Sequence, residues 1–469
     1  MATTSDTVAN LANEIERTAV VDSNPTQKPL LLFTAAPADG HTIPPSRVAG
    51  EMIKRGYEVT FIGGEQFEGL LKGIGADFVP VPNMFTPEMI QERDAIPAGI
   101  PRLMYDMENI FIGKTPERWQ TLKAVLARLR AENPGREIIV VNETAFMGAN
   151  PLVLGAPLPE GFTTRPKVLT LNAIPYIATS IDTGPIGPGL PPDATESGRA
   201  RNQLLNQMMV AGPFAGIIAQ QARILKELGA TKELSLDVPF HHWMVIHDTT
   251  LQLCPPSLEY PRSDVPANIR FAGCPTPRPL AADLAYPEWW EDVTRGDRKV
   301  VMVAQGTVAT DYSDLLIPTI KALADRDDLL VVAILGHRGV SLPKEVAIPA
   351  NTRVVDYLAY DAVLPHASVF VMNAGYGGFL HGVINGVPMV LAGESEDKPE
   401  IAMRGAWSGV AVNLRTGRPS PAGVRAGVDQ VLADDSFKAR VEEVRRENEE
   451  LRIFDVVERE ILALSELTV

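Results

Sequence analysis

Cysteine is nearly absent. Cys254 and Cys274 are the only two in 469 residues. That excludes a disulfide framework and a thiolate metal cluster, and fits two reduced, buried thiols in an intracellular chain. Basic charge is also scarce, with 43 Lys and Arg against 58 Asp and Glu, a formal balance of −15. This balance argues against nucleic acid or an anionic membrane as the main partner. An anionic small ligand must then be held by local donors such as a helix N-terminus. No apolar run approaches the roughly 18 residues of a membrane span. No secretory leader is visible: Met1–Gln27 carries several acids and no apolar core, and is expected to be a disordered lead-in. These absences lead to the expectation of a cytoplasmic protein without a transmembrane segment, with peripheral membrane contact left open.

What the chain does have is apolar residues, 45% of the total, and a length that suits two domains of ordinary size. Pro29–Thr34 reads as a strand, Ala35–Thr42 as a loop, and Ile43–Arg55 as a helix opened by Pro44-Pro45 and stopped by Gly56. Tyr57–Ile62 reads as the next strand, which makes a parallel crossover unit. Strands are expected at Glu137–Asn142, Val168–Asn172 and Met244–Leu253, with helices at Thr115–Ala131 and Asn202–Leu228. The Pro/Gly-rich stretch Asp182–Arg201 is too long for a plain connection and is expected to border a binding site. Arg262–Arg298 has many prolines and little periodicity. The expected organisation is a lead-in at 1–27, a first α/β domain at 28–260, a linker at 261–298, a second α/β domain at 299–440 and a C-terminal helix at 441–469. That helix carries an apolar stripe through Leu451, Phe454, Val457, Ile461 and Leu464, suited to packing back on the first domain.

The most informative stretch is Val369–Glu400. A short apolar run, Val369–Met372, leads into a glycine turn with Asn373, Gly375, Gly377 and Gly378. An apolar segment then ends in Asn385-Gly386, a helix with a left-handed glycine stop. A second strand, Met389–Ala392, precedes an acidic loop, Glu394–Lys398. Glycines let a backbone approach a phosphate, and the first helical turn offers unpaired N–H groups and a positive dipole end. Glu396 and Asp397 can accept hydrogen bonds from sugar hydroxyls. A phosphate cradle followed by a carboxylate loop suits a nucleotide sugar, although such turns also join strand to helix with no ligand. A dinucleotide fingerprint fits less well, because Leu380 stands where its third glycine should fall.

Of seven histidines, His41 has the best address, beyond the first strand and next to a helix start, where a proton acceptor working near neutral pH is useful. A histidine base works best with a partner behind it. Glu143, just past EIIVVN, should end a strand on the same edge, and Asn142 could hold the imidazole without charge. Gln305-Gly306-Thr307 places a glycine and a hydroxyl beyond the first strand of the second half. His337, His366 and His381 make no metal spacing with their neighbours, and His241-His242 would diverge on a strand, so no catalytic metal is expected.

In order along the chain, these motifs resemble the UDP-glycosyltransferases of glycosyltransferase family 1, and most closely the fungal and bacterial branch that acts on small aglycones and lipids. The resemblance runs from about Lys28 to Leu464. It implies the GT-B fold, two Rossmann-like domains facing across a cleft with a C-terminal helix packing back on the first. Gly40-His41 with Pro44 is similar to the family's N-terminal loop, which makes His41 the catalytic base. Glu143 stands where the partner acid is usually an aspartate. The donor signature starts at Asp356-Tyr357-Leu358, with Tyr357 in place of the aromatic that stacks on uracil. Asn373–Gly378 matches the phosphate turn, and Asp397-Lys398 the sugar-reading pair. Three positions depart from the pattern: Asn373 replaces a histidine, His381 a ribose-gripping glutamate, and Lys398 a glutamine.

The resemblance implies an inverting transfer of a hexose, glucose by default, from a UDP-sugar to a hydroxyl of a small apolar acceptor, with the UDP-sugar as co-substrate and no metal. Met104, Met107, Ile110, Phe111 and the loop Phe146–Pro151 are candidates for the acceptor pocket, and core packing explains them as readily. Two rival readings use the same cleft: a nucleotide-sugar epimerase, and a non-catalytic nucleotide-sugar binder.

Overall fold

The computed structural model describes residues 27–465 apart from 98, 278–279, 281–283, 307–308 and 310. The expected lead-in, save Gln27, lies outside the described residues, as does Thr307. The apolar runs become two parallel sheets. The first holds β1 (Leu30–Thr34), β2 (Val59–Gly64), β3 (Asp77–Val81), β4 (Ile138–Glu143), β5 (Lys167–Asn172), β6 (Thr249–Gln252) and β7 (Ile269–Phe271), in the order β3-β2-β1-β4-β5-β6-β7. The second holds β8 (Lys299–Ala304), β9 (Leu329–Ile334), β10 (Thr352–Val355), β11 (Ala367–Met372), β12 (Met389–Leu391) and β13 (Ala411–Asn413), in the order β10-β9-β8-β11-β12-β13. Runs such as LLLFT and LLVVAI are buried along their whole length, because helices cover both faces of a parallel sheet and leave it no solvent side. Strand order reverses once in each sheet, between β1 and β4 and between β8 and β11. Open parallel sheets bind ligands in the crevice beyond the strand C-termini at such a switch point.

Helix α1 (Asp39–Lys54) follows β1 and begins four residues ahead of the expected start, so His41 lies in the first helical turn and not in a loop. Pro44 and Pro45 are inside this helix. They lack N–H groups, so the carbonyls of Gly40 and His41 receive no i→i−4 bond. This is the feature that makes the prolines read as a helix start. The expected single helix at Asn202–Leu228 is two, α2 (Glu196–Ala211) and α3 (Ala215–Glu227). The hydroxyl of Thr195 accepts the Gly198 N–H and caps α2, so the preceding Pro/Gly-rich loop ends at Thr195.

Met244–Leu253 is not one strand: Pro239 starts a short helix, α4 (Pro239–Val245), and β6 begins only at Thr249. A short apolar run does not distinguish buried helix from strand, and a proline at the first helical position decides it here. The strand β7 falls within the stretch expected as linker and pairs with β6.

In the second sheet, α5 (Tyr376–Ile384) follows β11 and α6 (Lys398–Trp407) follows β12. The C-terminal stretch is two helices, α7 (Asp435–Leu451) and α8 (Ile453–Leu464), broken at Arg452, whose φ is 52°. Ile453, Val456, Val457 and Ile461 of α8 join the core of the first sheet with Val48, Ala49 and Met52 of α1. Each such side chain contributes about 1.5–3 kcal/mol on burial. The half-exposed ion pairs Arg55–Glu458 and Arg55–Asp455 add little beside that. Apolar burial is therefore what returns the chain end to the first domain.

Candidate active site

The first switch point is built from the end of β4 and the start of α1. Glu143 is fully buried. Its Oε1 accepts the Ala145 N–H at 3.0 Å and its Oε2 the Ala36 N–H at 3.3 Å. Buried Arg118 donates to the carbonyls of Ala145 and Phe146 at 3.1 and 3.2 Å and sets its charge beside Glu143. Burial pushes the Arg118 pKa down to about 10. His41 Nδ1 lies 2.7 Å from Glu143 Oε1. Asn142, the alternative partner, is turned to Thr34 Oγ1 at 2.9 Å and Thr170 Oγ1 at 3.5 Å, so the imidazole is held by Glu143.

The imidazole of His41 is 18% exposed. Burial favours its neutral form, but the charge and hydrogen bond of Glu143, with the charge of Asp397, outweigh burial and raise its pKa above the ordinary value. With Nδ1–H given to Glu143, the neutral ring keeps its lone pair on Nε2. Beside it Met107–Ile112 forms a π-helical turn, a rare element that often marks a functional site. That turn brings Phe111 edge-on to His41, with ring centroids 6.2 Å apart, and Trp243 of α4 backs Phe111 at 5.7 Å. Met107 and Ile110 are buried in the core, as is Phe146, while Met104 and Phe111 are only partly buried. Of the expected pocket residues, those last two remain able to meet an acceptor.

The second switch point offers backbone. Asn373 Nδ2 donates to the Gln305 carbonyl at 2.5 Å, and its Oδ1 accepts the Gly375 N–H at 3.4 Å. The amide that replaces a histidine thus ties the end of β11 to the end of β8. Gly375 precedes α5, so the N–H groups of Tyr376, Gly377 and Gly378 have no partner within the helix. Gly377 has open space where a Cβ would stand, while a Cβ on Gly378 would lie 2.8 Å from Met372 Cε. Gly378 is a packing glycine beneath the turn, and Gly377 faces outward. The hydroxyl of Tyr376 is 3.2 Å from Gln252 Nε2, at the end of β6, so the start of α5 meets the first sheet's C-terminal edge.

Three expected donor contacts have side chains engaged within the second domain. The Gln305 side chain is spent internally: Nε2 donates to the Asp311 carbonyl at 2.9 Å, and Oε1 accepts the N–H groups of Leu315 and Leu316 at 3.3 and 2.8 Å. Its role is to fold the loop after β8, which also contains Gly306 at φ 75°. The Leu358 side chain is buried in the core of the second sheet, leaving only its backbone for a ligand. His381 Nδ1 lies 2.8 Å from Asp361 Oδ1, which also accepts from Asn385. Its ring is tied to its own domain. Tyr357 is 42% exposed, and the Arg338 guanidinium covers one ring face at 4.7 Å.

In the acidic loop, Lys398 Nζ is paired with Glu396 Oε2 and with Ser395 Oγ, and Glu396 Oε1 reaches Arg93 of the first domain at 3.5 Å. Asp397 caps α6 without a side-chain cap bond, and burial, partly offset by Lys398, raises its pKa. It lies close enough to His41 for each to feel the other's charge. The two switch points therefore face one another across the cleft. Among the described residues no three His, Cys, Asp or Glu side chains gather as a metal site, and no helix is long and apolar enough to cross a membrane.

Residues 318–453 match the family model of the erythromycin biosynthesis protein CIII-like C-terminal domain. The whole chain is similar to UDP-glucosyltransferase 1 of Beauveria bassiana (strain ARSEF 2860), 47% identical over 435 residues that cover 92% of this chain and 94% of the relative. The chain belongs to the UDP-glycosyltransferases. This UDP-glycosyltransferase is also similar to UDP-glucosyltransferase B1 of Starmerella bombicola, 37% identical, covering 94% of this chain and 99% of that one. Among solved structures, the glycotransferase of kitacinnamycin superposes with a TM-score of 0.67 at 20% identity, over 92% of this chain and 99% of that one. That likeness places the glycosyltransferase in the two-domain GT-B fold.

Sequence reasoning missed Arg118 and Trp243. Each acts through partners far away in the chain, and no local pattern marks them.

Proposed function

We propose that this enzyme transfers a hexose, glucose by default, from a UDP-sugar to a hydroxyl of a small apolar acceptor of phenolic, sterol or lipid type, with inversion. The 2.7 Å contact between His41 Nδ1 and Glu143 Oε1 carries this reading. It leaves Nε2 as the base. As the acceptor oxygen bonds to the anomeric carbon, its proton passes to Nε2, and the bond from that carbon to the diphosphate oxygen breaks. Glu143 stabilises the imidazolium. The leaving diphosphate gains charge at the start of α5, where free N–H groups and the helix dipole favour it. Asp397 is the side chain of the acidic loop left to read the sugar, and Tyr357 offers a face to the base. One displacement converts an α-linked donor into a β-glycoside. The relatives' names, UDP-glucosyltransferase in both, support UDP-glucose as the first donor to test.

The test is a donor screen, several nucleotide sugars against a mixed panel of phenols, sterols and hydroxy-lipids, read by mass spectrometry. A product heavier by one hexose is expected with UDP-glucose. Epimerised sugar without acceptor, or UDP-glucose binding with no transfer to any member of the panel, would replace this reading with one of its rivals.

A further inference from the structure

The buried charges that the reaction does not use gather where α6 meets the first domain. Glu400, Arg404 and Glu259 are 5%, 2% and 4% exposed. Arg404 Nε donates to Glu259 Oε2 at 2.8 Å, Nη1 to Glu400 Oε2 at 3.2 Å and Nη2 to the Tyr176 carbonyl at 3.0 Å. Glu259 in turn accepts the Tyr176 N–H at 2.8 Å. This satisfies Arg404 and Glu259 and leaves Glu400 Oε1 for another task. It accepts the N–H groups of Gly187 and Gly189, each at 2.9 Å. A single carboxylate oxygen thus holds two backbone donors from the Pro/Gly-rich loop of the other domain. The fit is close: Gly189 has φ 58°, and a Cβ there would lie 2.7 Å from the Pro399 carbonyl oxygen.

Glu400 is also one turn from the sugar loop, since its own N–H donates to the Asp397 carbonyl at 3.0 Å. Beside this junction is a cavity of about 260 Å³. One wall includes Ile100, Leu103, Pro188 and Met209 of the first domain, and the other is Glu394, Glu396 and Pro399 of the second. Its two walls belong to different domains, and the Glu400 junction is where they are tied together.

We propose that Glu400 is a positioning residue that clamps Gly187–Gly189 to the sugar-reading turn and so sets the width of this apolar cavity, which takes the apolar body of the acceptor. This rests on the cleft being the site of transfer. Glu400 touches neither sugar nor acceptor in this scheme. It fixes the distance between the wall that holds the acceptor and the turn that carries Asp397.

The clamp is tested with Glu400→Ala, Glu400→Gln and Gly189→Ala. Gln keeps an oxygen for the two N–H donors but turns an NH2 towards Arg404 Nη1, whereas Ala removes both oxygens. Gly189→Ala pushes the loop off Pro399 while leaving Glu400, Arg404 and Glu259 in place, so it decides the matter if E400A folds poorly. In E400A and G189A the acceptor KM should rise about tenfold, the scale of a lost hydrogen bond to a charged group. The dissociation constant for UDP should stay within about twofold, and E400Q should raise the acceptor KM less than E400A does. Hydrogen exchange read without any substrate should show faster exchange at residues 187–189 in E400A. Unchanged acceptor KM in both E400A and G189A, or a loss of UDP affinity in step with acceptor affinity, would overturn the proposal. Unchanged exchange at 187–189 overturns the clamp even if the parent enzyme proves to transfer no sugar, so the two failures are separable.

Discussion

The two sheets share the strand order 3-2-1-4-5-6 over six strands and differ in what they place at the reversal. At the first, between β1 and β4, the functional atoms are side chains. A buried carboxylate is braced by two N–H groups and set beside a buried guanidinium, and it aims an imidazole. At the second, between β8 and β11, the side chains are spent on neighbouring backbone. Asn373 and Gln305 staple the turn, and what remains is backbone N–H. The difference follows from the task. A proton must be taken by a group that changes charge, which backbone cannot do. A diphosphate gains charge as it leaves but needs no group to take up a proton, only donors that stay in place, and preorganised amides provide them with no side-chain entropy to lose.

The strongest way to break this comparison is to remove the group that changes charge. His41→Ala should lower kcat by roughly 10²–10⁴-fold, the range for positioned proton transfer, with UDP binding by calorimetry unchanged. Equal loss of UDP affinity would mean that the two lobes do not divide the work. Glu143→Gln sharpens the same point through pH. The base must be neutral, so kcat/KM should rise with pH through a His41 pKa that Glu143 and Asp397 hold above its ordinary value against burial. In E143Q burial is no longer opposed by the nearer charge. The rising limb should move to lower pH while the plateau falls by about 10- to 100-fold, a few kcal/mol of lost imidazolium stabilisation. A limb that stays in place would show that another group titrates.

How much of this was legible in the sequence follows from the same distinction. The strands were readable because parallel strands buried on both faces are plain apolar runs. The turn after β11 was readable because glycines and a helix start are local. His41 was found by its address, although its helix began before the two prolines and not after them. The clamp at Glu400 was not readable. A glutamate near the start of a helix has no local mark to show that its partners lie more than two hundred residues earlier, at Gly187 and Gly189. Gln305 has a readable position, yet its side chain is bound within the loop that follows β8. Backbone geometry tells a similar story. Of the five non-glycine residues with positive φ among those described, Met147, Ala374 and Glu396 lie in the three loops of the site, and such strain persists where surrounding structure enforces it.

The backbone side of the comparison can be probed with paired glycines. Gly378→Ala drives a methyl to 2.8 Å from Met372 Cε, the far end of a flexible side chain, so that thioether must move aside, and the KM for UDP-glucose should rise about threefold with a loss of stability of about 1 kcal/mol by overpacking. Gly377→Ala has open space one residue nearer the helix start and should not lower the melting temperature. Any loss it causes in UDP affinity then reports on the approach of phosphate alone. If both variants keep parental donor kinetics, the turn does not hold the diphosphate.

The smallest effect is expected at Lys398, in the loop where the second lobe does use side chains. Glu396 and Lys398 are paired with one another, and Arg93 adds a third charge from across the cleft. Asp397 between them makes no ion pair with either of these cations, which under the proposed function leaves its carboxylate for the sugar. Asp397→Ala should therefore raise the KM for UDP-glucose by about tenfold or more, the loss of a hydrogen bond to a charged group. Lys398→Ala should change it by no more than about threefold, the scale of a part-exposed ion pair. Steady-state kinetics at fixed acceptor would decide between them. The reverse order, with Lys398 the more costly, would mean that the ammonium leaves Glu396 for the sugar when donor binds, and that the second lobe also works by moving a charge.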